Sequence, residues 1–239
     1  MMRLILALLL LVVPRVAVAG EVAVAVASNF LTTAEELARK FEEDTGHTVT
    51  LSHGATGQLY AQIDAGAPFD VLLAADAKRP ELLVQTGNAS EAATYALGKL
   101  VLVGSSDIAR DTAAEVVVGR TVALADPTVA PYGLASTAAM ERLKLDTATF
   151  RPVLVANVGQ VATVFASGNA DFAFVSAAQV SLLDPAKVLL LDGLHPSITQ
   201  DAALLTRAQD NPAAIAFWDW LFSDDGKALI TRSGYDLPE

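Results

Sequence analysis

Short apolar runs of β character alternate with segments of helical period along nearly the whole 239-residue chain. Glu21–Ala27 (EVAVAVA) reads as a strand, and Thr32 or Thr33 can cap the next helix, with Glu35 or Glu36 three residues on. Ala34, Leu37, Ala38 and Phe41 then share one helical face, and Gly46 ends it. Strands are expected at Thr48–Leu51, Phe69–Ala74 and Leu97–Val103, separated by helices over Thr56–Ala65 and Lys78–Gln85. The same grammar resumes with strands at Thr121–Ala125, Pro152–Val155, Asp171–Val175 and Val188–Leu191, and helices over Leu134–Leu143 and Gln160–Ser167. A strand at Thr199–Thr206 precedes terminal helices over Asn211–Phe222 and Asp225–Arg232, the first opened by Asn211-Pro212. Such an order specifies an α/β fold whose sheets are mostly parallel and covered by helices on both faces.

Two modules of this kind are present, with no Pro- or Gly-rich linker between them. Extended crossovers near Leu97–Val103 and Ser197–Leu205 are therefore expected. The N-terminal module is then discontinuous, residues 20–98 with 199–239, and the second module is residues 99–198. A ligand would sit in the cleft between them, at strand ends and helix starts.

Residues 1–19 stand apart from this pattern. Arg3 precedes the apolar run Leu4–Val13, and Ala17-Val18-Ala19 is a small-x-small pattern before Gly20, as in a cleaved export signal. The run is too short to span a bilayer comfortably, and no cysteine stands at the cleavage point for lipid attachment. Neither a membrane anchor nor a lipid tether is expected. Loss of residues 1–19 removes Arg3 and Arg15 and no acid. The 16 basic and 27 acidic residues of the chain, formally −11, become 14 against 27, formally −13.

This acidity argues against nucleic acid as a partner, which needs a concentrated basic patch. A hydrophobic fraction of 53% is too high for a disordered acidic segment. The absence of cysteine removes disulfides, thiol nucleophiles and thiolate metal sites together. His47, His53 and His195 have no partners at metal-ligand spacing. Ser28, Ser52 and Ser176 lack the G-x-S-x-G frame of a nucleophile. Gly54-Ala55-Thr56-Gly57 lacks the lysine of a phosphate loop. Asp76, Asp126 and Asp171, near strand ends, read as turn or helix caps. An exported hydrolytic enzyme would need a general base that the sequence does not supply.

The strand-to-helix junctions carry small, neutral hydrogen-bonding residues instead. Ser28-Asn29 ends the first strand, and His53–Gly57 precedes the second helix. Pro131-Tyr132-Gly133 and Asn157-Val158-Gly159-Gln160 precede helices of the second module. Each places backbone N–H groups at a helix N-terminus, which is how an anion is held without a countercharge. Taken singly, each junction also reads as an ordinary helix cap.

Specific runs resemble the periplasmic molybdate-binding proteins, receptors of bacterial ABC importers. They are Val26–Phe30 (VASNF), Ser52–Ile63 (SHGATGQLYAQI), Ala65–Val71 (AGAPFDV), Ala74-Ala75-Asp76, and Ala125-Asp126-Pro127 leading into Ala130–Gly133 (APYG). The resemblance implies the type II periplasmic binding-protein fold, two α/β domains closing on a tetrahedral oxyanion, molybdate or tungstate. It implies no catalysis and no cofactor, and no direct protein-to-metal coordination, because the ion is held through its oxygens. Carried residue by residue, it assigns a hydroxyl and adjacent amide to Ser28 and Asn29, and a second hydroxyl to Thr56, supported by Gly57. From the other domain it assigns the amides of Tyr132 and Val158. Many members offer a tyrosine hydroxyl where this chain has Ser176, leaving Ser176, Tyr132 or Asn29 to supply that donor. The implied partner is an ABC transporter permease, the compartment the periplasm, and the state a monomer. An exported receptor for a different oxyanion or small acid remains the alternative.

Overall fold

The computed structural model describes residues 19–185 and 187–238; the export-signal reading falls almost wholly outside them. The first lobe runs β1 (Glu21–Ala27), α1 (Leu31–Thr45), β2 (Thr48–Gly54), α2 (Thr56–Asp64), β3 (Val71–Leu73), α3 (Lys78–Gln85) and β4 (Ala89–Gly98). The second runs β5 (Leu100–Gly104), α4 (Ala113–Val116), β6 (Thr121–Ala125), α5 (Pro131–Leu143), β7 (Arg151–Val155), α6 (Val158–Ala166), β8 (Phe172–Ser176) and β9 (Lys187–Leu190). The chain then returns through β10 (Ile198–Leu205) to α7 (Pro212–Leu221) and α8 (Asp224–Arg232).

Two five-stranded sheets result, ordered β2-β1-β3-β10-β4 and β7-β6-β8-β5-β9. In the first, β1 is parallel to β2 and β3, and β10 is antiparallel to both its neighbours. In the second, β6 is parallel to β7 and β8, and β5 is antiparallel to both its neighbours. Four strands of each sheet thus point one way, and the exception is the strand that has just entered from the other lobe. The mostly parallel expectation holds with that one exception per sheet. An entering strand starts at the junction and runs away from it, while the others end there.

The central strands β1, β3, β5, β6 and β8 are buried on both faces, as parallel-sheet interiors demand, while the edge strands β2, β7 and β9 are partly exposed. Val22, Val24 and Val26 of β1 pack with Phe30, Leu37, Phe41 and Phe217, while Ala25 faces Leu59, Ile63 and Leu83 on the other side. Phe217, Trp218 and Leu221 are buried, docking α7 onto this core. Asn211 caps α7, accepting from Ala213 N at 3.1 Å.

Several boundaries differ from expectation. One 3-10 turn, Ser28–Phe30, runs straight into α1, so Thr32 and Thr33 lie inside the helix and cap nothing. The Leu97–Val103 run is two strands, broken at Lys99 where the chain crosses between sheets. Pro131 opens α5 three residues earlier than the apolar period suggested, placing Tyr132 in its first turn.

Each lobe repeats one clamp. The Asp70 carboxylate, just before β3, accepts from Ala23 N of β1 at 2.9 Å. Asp171, just before β8, accepts from Thr121 N of β6 at 2.8 Å. Asp70 is buried and also receives Arg207 at 2.8 Å and Asn211 Nδ2 at 3.3 Å, tying the returning segment to the first strands. Hydrogen bonds to a charged group contribute about 1.5–3 kcal/mol each. Asp70→Ala is therefore expected to lower unfolding free energy by about 2–3 kcal/mol, read as a reduced urea midpoint with an unchanged m-value.

Candidate functional site

The strand ends and helix starts meet at the seam between the two sheets. Ser28 stands at the end of β1, and Thr56 at the first position of α2 after the extended residue Ala55. From the opposite lobe come Tyr132, in the first turn of α5, and Val158, the first residue of α6. Together with Asn29 and Asn157 they line one small cavity of about 180 Å³, mouth included. The lining contains no carboxylate, ammonium, guanidinium or imidazole. Its remaining walls are small: Ala27, Ala55 and Ala75 of the first lobe pack into the core of the second, with Ala130 and Val158.

The hydrogen bonds at the seam have fixed directions. Ser28 Oγ accepts from Gly159 N at 3.2 Å, across the seam. Thr56 Oγ1 accepts from Ala75 N at 3.0 Å. An N–H can only donate, so each hydroxyl retains its proton for another acceptor. At α6, Asn157 Oδ1 takes Gln160 N at 3.0 Å and Ser28 takes Gly159 N, so the second and third amides of that helix are engaged. Val158, the first residue of α6, lines the cavity, and a helix start offers its amide no internal acceptor.

The other residues read from the sequence serve the surroundings of the cavity. Asn29 Nδ2 donates to Gln200 Oε1 at 2.7 Å and to Tyr235 Oη at 3.2 Å, and the Tyr235 hydroxyl donates to the Asn29 carbonyl at 2.8 Å. Its side chain is therefore occupied inside its own lobe, leaving the backbone amide. Ser176 does not line the cavity. Its hydroxyl lies 3.1 Å from Tyr132 Oη and takes part in a capping box with Gln179. The Tyr132 ring turns toward the crossing strand, where a Cβ on Gly98 would fall 2.3 Å from Oη. Burial pushes the Tyr132 and Tyr235 hydroxyls well above the ordinary tyrosine range, so both stay protonated. Asp76 and Asp126 cap local turns, accepting from Arg79 N and Thr128 N. Among the described residues no group of three or more His, Cys, Asp or Glu could hold a metal ion.

Gly57 carries the second contact across the seam. Its amide donates to the Val129 carbonyl at 2.9 Å, and a Cβ there would fall 2.8 Å from Arg79 Nη2 and 3.0 Å from that same carbonyl. Only a glycine lets the lobes approach this closely.

The model of the family described as bacterial extracellular solute-binding protein matches residues 22–236. The chain belongs to that family. Among its relatives are the molybdate-binding protein ModA of Azotobacter vinelandii, 39% identical over 92% of this chain and 91% of the relative, and that of Rhodobacter capsulatus, 41% identical over 92% and 89%. The solved periplasmic molybdate-binding protein of A. vinelandii superposes with a TM-score of 0.85 at 36% identity, covering 91% of this chain and all of that one. The chain is thus a solute-binding protein of the type II periplasmic fold.

Gly57 sets how closely the two lobes meet, and the site proposed below takes donors from both. Overpacking typically costs about 1–3 kcal/mol, and 1.4 kcal/mol is a factor of ten in affinity. Gly57→Ala is expected to wedge the seam open and weaken ligand binding roughly tenfold, measured by calorimetry, with a larger radius of gyration in solution scattering of the loaded protein.

Proposed function

We propose that the chain binds molybdate and tungstate in the periplasm through the cavity at the seam and delivers them to the permease of an ABC importer. The observation that carries the site is the cavity's donor set: two hydroxyls that each already accept a backbone N–H and keep a proton to donate, and helix-start amides, with no charged group among them. Kinship with the molybdate-binding proteins supplies the ligand, the compartment and the permease partner.

Ser28 and Thr56 donate from the first lobe, joined by the Asn29 amide. The Tyr132 and Val158 amides complete the shell from the second. Gly57 and Ser176 act from behind it, one closing the seam and the other holding the Tyr132 hydroxyl. Each charge-assisted hydrogen bond contributes about 1.5–3 kcal/mol, and the helix starts add a favourable field. A shell of donors accepts a fully deprotonated tetrahedral dianion and disfavours phosphate, which keeps a proton needing an acceptor of its own. Sulfate is deprotonated but smaller, so fixed donors spaced for molybdate leave it under-coordinated.

Residues 20–98 with 199–239 form one moving body and 99–198 the other, and they rotate about the two crossings. The Ser28–Gly159 bond forms only when they meet, so closure and completion of the site are one event. A single chain contains the whole site, and the protein acts as a monomer.

Calorimetry against molybdate, tungstate, sulfate and phosphate tests the ligand class. The expected result is comparable binding of the first two and little heat from the others; equal sulfate binding would overturn the size argument. In the same assay Ser28→Ala and Thr56→Ala each weaken molybdate roughly tenfold or more. Val158→Ala changes affinity little, because its contact is the backbone amide.

A further inference from the structure

One buried group outside the cavity is wired into it. Tyr95, in β4, is 2% exposed, and its hydroxyl donates to the Ala74 carbonyl at 3.0 Å. The Ala75 amide donates to Thr56 Oγ1 at 3.0 Å. The Ala74 carbonyl and the Ala75 N–H are the two ends of a single peptide group. Each bond direction is forced, because a carbonyl only accepts and an amide N–H only donates. The chain therefore reads Tyr95 O–H to Ala74 C=O, through the peptide to Ala75 N–H, to Thr56 Oγ1, whose own proton is left for the cavity.

We propose that Tyr95 is a positioning residue for the oxyanion site, polarising and fixing the Ala74–Ala75 peptide so that Thr56 presents its proton to the bound anion. This rests on the reading of Thr56 as a ligand hydroxyl. A donor on the carbonyl end of a peptide makes its N–H a stronger donor, and the hydroxyl that receives it becomes a stronger donor in turn. The effect is largest in a low-dielectric setting, and Thr56, Ala74, Ala75 and Tyr95 are all buried. Burial, with Tyr235, Tyr132, Asp201 and Asp76 nearby, raises the Tyr95 hydroxyl well above its ordinary range, so it remains a donor at every working pH.

The strand is shaped to deliver this side chain. Opposite β4, the register of β10 shifts between Gln200 and Asp201, which pair with Ala96 and Thr94, leaving Tyr95 as the unpaired residue of a bulge. Bulges re-aim side chains near binding sites. Phe30 packs edge-on against the ring at 4.8 Å, fixing it from the β1 side. The other ligand hydroxyl is not on this path, since Ser28 takes its amide from Gly159 of the opposite lobe. Tyr95 should therefore act through Thr56 and not through Ser28.

Molybdate calorimetry on a double-mutant cycle tests this, with Tyr95→Phe, Thr56→Ala, Ser28→Ala and the two double variants Tyr95→Phe/Thr56→Ala and Tyr95→Phe/Ser28→Ala. Tyr95→Phe is expected to weaken molybdate about three- to tenfold. The loss should largely vanish in the Thr56→Ala background and persist in full in the Ser28→Ala background. In the ligand-free protein, the Ala75 amide proton resonance should move upfield in Tyr95→Phe, a readout that general loosening of the lobe would not confine to that residue. Should Tyr95→Phe fold poorly, 3-fluorotyrosine placed at position 95 keeps the size and strengthens the donor, and is expected to tighten binding and shift Ala75 downfield. Native affinity in Tyr95→Phe beside a weakened Thr56→Ala, or an equal loss in both backgrounds, would overturn the relay alone. Native affinity in Thr56→Ala would remove the site reading, and the relay with it.

Discussion

Everything at the seam depends on which way the strands run. In each sheet, four strands end at the junction and only the entering strand begins there. Strands that end at the seam must be followed by helices that start there, so α2, α5 and α6 turn their N-terminal amides inward. A parallel entering strand would need a further crossover to reach its own start. Entering antiparallel, β5 and β10 serve as crossings and as sheet members at once. The same polarity gives both lobes the aspartate clamp, since Asp70 and Asp171 each precede a strand parallel to the one whose amide they accept, β1 and β6.

Convergence of helix starts makes an electropositive place, but selectivity requires that the donors be committed. Here the commitment is made by satisfying acceptors. In the proposed site Ser28 and Thr56 each receive one backbone N–H, which orients the hydroxyl and leaves its own proton for an anion. For Thr56 the committing amide belongs to the same lobe, and the hydroxyl is ready before closure. For Ser28 it belongs to the opposite lobe, and the hydroxyl is committed only when Gly159 arrives. One donor is thus built in and the other is made by closing, which ties the shape of the loaded receptor to the identity of what it holds.

The sequence made the alternation of strands and helices legible because apolar periods of two and of about 3.6 differ over a few residues. The Asn211-Pro212 helix start follows from a local pattern too. Most of β4 was not legible, because Ala89–Ala96 mixes Ser90, Glu91 and Thr94 with alanines and has no apolar run. The junction residues Ser28, Thr56, Tyr132 and Val158 could be singled out by type, and the family resemblance gave them roles. What those roles rest on could not be read locally. Asn29 meets Gln200 and Tyr235 at separations of 171 and 206 residues, and Tyr132 meets Ser176 across 44. These contacts decide that the Asn29 side chain and the Ser176 hydroxyl stand behind the site, and only the folded sheets bring them together.

The acidic balance of the chain looks opposed to holding a dianion, and the geometry shows why it is not. The nearest acids are turned to other work: Asp76 pairs with Arg79, and Asp126 is held ionised by Thr128. Interactions among exposed charges fade over about 8 Å at physiological ionic strength, while the seam donors lie within hydrogen-bond reach of the cavity. A lysine or arginine lining the cavity would raise affinity for every anion alike, sulfate and phosphate included. Neutral donors at fixed spacing act through number and position, and so distinguish anions of equal charge. Selectivity in the proposed site then rests on donor number and position rather than on charge. That leaves the net charge of the surface free to serve solubility and encounter with the permease.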